Sequence, residues 1–127
     1  MDKGAKCNPL FIKSDLLAKK VYEVSQNFPR NEMFGLTSQL RRAGLSVILN
    51  IIEGFARNTD KEFRRFLWIA FGSLKETKYL LYFAWYQKYL TKKDYQEVLN
   101  LSEEIAKIIW SIVGKKIIIN CLLIVSC

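Results

Sequence analysis

Residues 36–57 read LTSQLRRAGLSVILNIIEGFAR. With about 100° per residue on a helix, Gln39, Arg42, Ser46, Asn50, Glu53 and Arg57 fall within roughly 80° of one another. Nearly everything else in the stretch is apolar or small: Leu36, Leu40, Ala43, Leu45, Val47, Ile48, Leu49, Ile51, Ile52 and Phe55, with Arg41 the exception. A helix on the surface of an isolated bundle shows a wide polar face and one apolar stripe. This stretch inverts that proportion, which predicts a helix contacted by protein on more than one side. A chain of 127 residues offers too few neighbours of its own to cover it. Self-association is the expected reading, with Gln39, Ser46, Asn50 and Glu53 lining a subunit seam or a central opening. The alternative is an ion-pair ladder inside one bundle, joining Arg42, Glu53 and Arg57.

Three further helices flank this one. The first is predicted from Pro9 to about Asn27, capped by Asn8 with proline at its first position. Leu10, Leu17, Val21, Val24 and Phe28 share one face of it at helical spacing, and Phe28-Pro29 ends it. A turn is expected around Asn31 to Phe34. After a break at Arg57-Asn58-Thr59, Thr59 and Glu62 form a capping box for a third helix running to about Tyr89. Thr91 to Asp94 opens a fourth, whose Val98, Leu101, Ile105, Ile108 and Ile112 predict its bundle seam. Gly114 can end it. No useful stretch alternates with period two, and the linkers are short, so sequential helices become antiparallel neighbours. The expected fold is all-α, an antiparallel up-and-down four-helix bundle forming one domain over 1–127. Its core covers roughly residues 9–116, with an apolar extension from 117 to 127.

The composition agrees. Half of the residues are hydrophobic and a quarter charged, with only two prolines and six glycines, which excludes disorder and favours long elements. Twenty basic residues against twelve acidic give a formal charge of +8, compatible with nucleic acid, acidic protein or anionic membrane as partner. Cys7, Cys121 and Cys127 are odd in number and lack CxxC spacing. With a polar start from Met1 to Asn8, they predict a reduced, cytoplasmic setting without a signal peptide. The apolar run from Ile117 to Val125 is shorter than the roughly 20 residues that span a bilayer. It is expected to be buried against protein, and no membrane partner is expected.

The absent chemistry is informative too. With no histidine, the chain lacks the commonest general base and metal ligand near neutral pH. No phosphate-binding glycine loop and no nucleophile beside a base occur. Glu53 and Glu62 are the only acid/base pair to consider; they fall on different helices, each with arginines nearby. No catalytic residue, metal or cofactor is expected. What remains is cationic. Arg41, Arg42 and Arg57, then Lys61, Arg64 and Arg65 interleaved with Phe63, Phe66 and Trp68, are candidates for contacts to a phosphate backbone. Against this, Phe63, Phe66 and Phe71 at helical spacing suit a core, and Asp60 and Glu62 dilute the local field.

Three stretches carry a resemblance: FGLTSQLRRA (residues 34–43), NIIEGFAR (50–57), and KEF (61–63) followed by FLWIAFGSLKE (66–76). Over roughly Leu10 to Lys116 the chain resembles the bacterial four-helix-bundle family encoded by intervening sequences of large-subunit ribosomal RNA genes. That family also includes the accessory variability protein of diversity-generating retroelements. The resemblance implies an up-and-down bundle assembled as a ring-like homopentamer, a basic surface or pore that binds RNA or DNA, and no enzymatic activity. For the retroelement branch it implies a reverse-transcriptase partner. The family's motif positions fall here on Gln39, Arg41, Arg42, Asn50, Glu53 and Arg57, largely the polar strip above. Ile48 stands where the family usually has proline and Ile52 where it has a small residue. Phe11-Ile12 replace a usual Trp-Gln, and residues 117–127 lie outside the pattern. The expected function is a non-enzymatic homo-oligomeric adaptor that binds nucleic acid through phosphate. The competing reading is a protein-interaction scaffold whose basic residues serve solubility and internal ion pairs.

Overall fold

The computed structural model describes residues 8–114. All three cysteines and the apolar extension therefore lie outside the described residues. Four helices follow in order: α1 (Pro9–Ser25), α2 (Leu36–Phe55), α3 (Asp60–Tyr86) and α4 (Lys92–Val113), with a 3-10 turn at Arg30–Glu32 between α1 and α2. Among the described residues there is no strand.

The helix starts follow local chemistry. Asn8 Oδ1 accepts the free amide of Leu10 at 2.9 Å, with Pro9 at the first helical position. The Thr59 and Thr91 hydroxyls accept the amides of Glu62 and Asp94 at 3.2 and 3.1 Å. The expected capping box is half made: the Glu62 carboxylate turns forward to Arg65 at 3.2 Å instead of back to Thr59. The end of α3 also differs from expectation, coming at Tyr86. Lys88 adopts φ 65, while its amide and that of Tyr89 close onto the carbonyls of Trp85 and Ala84, both at 2.9 Å. This is a Schellman closure with lysine in the left-handed position that usually takes glycine.

Sequential helices are neighbours, and α4 closes the bundle on α1. The pairings run in opposite senses. Lys13 meets Glu104 and Lys20 meets Glu97 across α1 and α4, and Ser46 meets Ser73 across α2 and α3. One core cluster draws on all four helices, including Leu17, Val21, Leu40, Val47, Ile51, Leu67, Leu74, Leu81, Val98 and Ile105. The α1 face is as expected, with Leu10, Leu17, Val21, Val24 and Phe28 all buried. Helix α2 runs unbroken through Ile48. It approaches α1 closely where Gly44 lies against Val21, and α3 where a Cβ on Gly54 would sit 3.2 Å from Phe66 Cβ and 3.3 Å from the Phe63 carbonyl.

The seam of α4 corrects the sequence expectation. Val98, Ser102, Ile105, Ile109 and Val113 are the buried positions. Leu101 and Ile108 are half-buried and Ile112 is 37% exposed. Ser102 fits the core because its hydroxyl donates to the Val98 carbonyl at 2.9 Å, which removes the cost of burying it.

Candidate nucleic-acid interface

The six predicted cations divide by what surrounds them. Arg41 is a strut between α1 and α2. Its Nε donates to Ser25 Oγ at 2.8 Å, Nη2 reaches the Tyr22 carbonyl at 3.4 Å, and the guanidinium lies 4.6 Å above the Tyr22 ring. Arg64 donates to the carbonyls of Ile112 and Val113 at 3.2 and 3.0 Å, so it caps the last turn of α4. A cation there also meets the negative end of the helix dipole. Arg57 pairs with Glu53, and Arg65 with Glu62 at 3.2 Å. These two guanidiniums cover the Phe66 ring at 4.9 and 4.6 Å. Arg42 and Lys61 are exposed, and among the described residues neither joins an ion pair.

Helix α2 ends at Phe55; Arg42 stands thirteen positions before that end, about 20 Å at 1.5 Å per residue, and Arg57 lies just beyond it. A single chain therefore does not gather the six into one patch. Arg41 and Arg42 lie at the α2 start, while Arg57, Lys61, Arg64 and Arg65 surround the α2–α3 turn.

The polar strip is partly internal. Ser46 Oγ and Ser73 Oγ are 2.8 Å apart, and the Asn50 amide donates to the Ser46 carbonyl and hydroxyl at 2.8 and 3.0 Å. Glu53 serves Arg57, so the ladder through Arg42, Glu53 and Arg57 is reduced to one exposed pair. Glu53 and Glu62 are each held by an arginine close in sequence, Arg57 and Arg65. Gln39 and Arg42 remain open on the strip. Beside them, at spacings of three, seven and ten from Arg42, come Leu45, Leu49 and Ile52. Leu49 is 57% exposed and the other two are half-buried, while Phe34, just before the helix, is 94% exposed. Met33, Phe34, Thr37, Ser38, Arg41, Arg42 and Leu45, with Tyr22, line a shallow groove of about 460 Å³.

The expected aromatic core near the start of α3 is present in graded form. Phe71 is buried, Phe63 and Phe66 are half-buried, and Trp68 packs edge-on to Phe71 and Trp110 at 5.6 and 6.0 Å. The far half of α3 was not singled out from the sequence. There Tyr79, Tyr82, Phe83, Trp85 and Tyr86 are all exposed and in ring contact with one another. The signal lay in the run YLLYFAWY at 79–86, five aromatics in eight residues.

Electrostatic perturbations follow the ion pairs. The hydrogen bond from Lys78 holds the Glu103 carboxyl below its usual range, against a smaller opposing effect of burial. The Lys20–Glu97 hydrogen bond and charge attraction raise the lysine and lower the glutamate. Burial pushes the Tyr95 phenol up. Among the described residues no cluster of three or more His, Cys, Asp or Glu can hold a metal ion. No described helix is long and apolar enough to cross a membrane.

These features define an all-helical, up-and-down bundle whose distinctive surface is the outer side of α2. Residues 9–111 match the family model described as 23S rRNA-intervening sequence protein, and the chain belongs to that family. A solved structure of a protein of unknown function from the S23 ribosomal protein family of Bacteroides thetaiotaomicron is similar to it. The two share 29% identity at a TM-score of 0.74, over 82% of this chain and 97% of that one. No curated protein matches the chain.

Proposed function

We propose that the chain is a non-enzymatic, self-associating bundle, a homopentameric ring as the family resemblance implies, that binds RNA or DNA through its phosphates. The observation that carries this is the outer side of α2. Arg42, exposed and outside every ion pair among the described residues, shares one face with the half-buried Leu45 and the exposed Leu49. A second copy covers the apolar part, and Arg42 is left at the seam, where copies repeat it around a ring. Repetition answers the dispersion of cations within one chain: Arg42 and Lys61 are far apart in a protomer but multiplied in an assembly. The net charge of +8 and the family's description by a ribosomal RNA sequence support the same reading. Contacts to phosphate position a protein without reading sequence, so binding is sequence-blind and salt-sensitive.

Light scattering at micromolar concentration tests the assembly, and filter binding of a structured RNA and a duplex DNA tests the ligand. An assembly that Leu49→Asp dissociates, together with affinity falling steeply with salt, is expected. A monomer, or no salt-sensitive affinity, overturns the respective half. The engagement of Arg41, Arg57, Arg64 and Arg65 inside the protein favours the scaffold as second reading. Recovery of a protein partner that survives nuclease treatment would select it.

A further inference from the structure

The exposed aromatics of α3 stand apart from everything above. Tyr79, Tyr82, Phe83 and Tyr86 recur at spacings of three and four, so they form one ledge on the solvent side, about 10 Å long at 1.5 Å per residue. Tyr79 and Tyr86 are 55% and 66% exposed. Tyr79 stacks on Phe83 with centroids 6.4 Å apart and 18° between planes. At its α4 edge, Trp85 stacks on Tyr95 at 5.4 Å and 17°, and Tyr82 bridges to Trp85 at 6.2 Å. The rings are thus held against one another while much of their surface remains in water.

An apolar patch of this kind can meet protein or nucleic acid, and the surrounding charge decides between them. Lys88 follows the ledge directly, and Lys92 lies one turn before Tyr95 on α4, with Lys93 beside it. All three are exposed, and among the described residues none joins an ion pair. Protein interfaces are depleted in lysine, whereas rings beside a cationic track suit a single strand. Its bases stack on the rings and its phosphates meet the ammonium groups. From residue 79 to residue 95 the chain carries three lysines and one acidic group, Asp94; the exposed Glu76, one turn before Tyr79, and Glu97, which feels the Lys93 charge, border this stretch.

We infer that Tyr79, Tyr82, Phe83 and Tyr86, with Trp85 at their edge, form a base-stacking platform for single-stranded nucleic acid, whose backbone runs past Lys88, Lys92 and Lys93. The inference rests on the nucleic-acid reading above and deepens it, because it assigns unpaired strands to a surface separate from the α2 seam. Stacking tolerates any base, so preference for sequence is weak and preference for single strands over duplex is strong.

The test uses the full chain with short fluorescein-labelled oligouridine, oligothymidine and a duplex of equal length, followed by anisotropy. The Tyr82→Ala/Tyr86→Ala variant loses roughly fivefold or more in single-strand affinity for each base unstacked, with duplex affinity unchanged. Tyr82→Phe/Tyr86→Phe, which keeps the rings, retains binding; the uridine and thymidine arms separate RNA from DNA. Wild-type single-strand affinity in the alanine variant overturns the platform and leaves the phosphate reading standing. A fall in assembly mass with unchanged affinity also overturns it, and marks the ledge as a subunit contact. If the wild type binds neither strand form, the platform and the proposed function fall together. Circular dichroism of both variants verifies that these exposed positions leave the helices intact.

Discussion

The two halves of α3 carry similar residues to opposite ends. In the first half the aromatics are covered: Phe66 lies between Arg57 and Arg65, Phe63 meets Phe55 at 5.2 Å, and Phe71 packs on Trp68 and Trp110. In the second half five aromatics stay exposed, while Leu74, Thr77, Leu81 and Ala84 face fully inward. The difference teaches that ring content does not decide burial. The register of the helix does, together with what its neighbours offer. Two guanidiniums sit over the Phe66 ring at the α2–α3 turn, where the arginines are engaged by the protein itself. At the far end the lysines stand beside the ledge without covering it.

The sharpest way to break this contrast is to truncate one ring on each side. Phe71→Ala removes a buried ring and should cost about 3–5 kcal/mol of stability. Tyr86→Ala should stay within about 0.5 kcal/mol. Chemical denaturation of both variants measures the gap, and equal losses would mean that the ledge is part of the core. Next in size is Gly54→Val. Its added carbons would press on Phe66 and the Phe63 carbonyl, pushing α2 from α3 at the covered end, for about 1–3 kcal/mol of destabilisation. At the exposed end Lys88→Gly should act oppositely. Removing a side chain from the left-handed position relieves about 1 kcal/mol, read as a rise in melting temperature.

The smallest effect is electrostatic. Glu103 of α4 is clamped by Lys78 of α3 at 2.6 Å, and its folded pKa is depressed. Its contribution is therefore complete above the unfolded value, near about 4.3, and is lost as pH falls through the folded one. Since about half of the Glu103 side chain is exposed, Lys78→Met should cost well under about 1 kcal/mol at neutral pH. The loss should fade in acid, as paired melts at neutral and acid pH will register.

Much of this was legible in the sequence, for identifiable reasons. The α1 stripe, the caps at Asn8, Thr59 and Thr91, and the short links specified four antiparallel helices. The inward face of α4 was misplaced because Leu101, Ile108 and Ile112 each sit one residue before the buried Ser102, Ile109 and Val113. Hydrophobicity alone favours Leu101 over Ser102 and does not separate Ile108 from Ile109 or Ile112 from Val113, and the bond from Ser102 to the Val98 carbonyl makes a serine acceptable inside. Similarly, the arginines of the candidate site were visible as residues, but their engagement was not. Whether Arg64 meets solvent or the end of α4 depends on a packing partner 48 positions away. The ledge is not legible in the sequence, because aromatics at helical spacing read as core until the helix register is known.

The claim that matters most is that the exposed cations Arg42 and Lys61 serve nucleic acid while the other arginines of the candidate site serve the fold. Filter binding of a structured RNA across a salt titration tests it directly, comparing the wild-type chain with Arg42→Ala/Lys61→Ala. Weaker binding is expected, with a log–log salt slope shallower by roughly one for each phosphate left without its cation, and with assembly mass and melting temperature unchanged. An unaltered slope, or an altered mass with unaltered affinity, would contradict it.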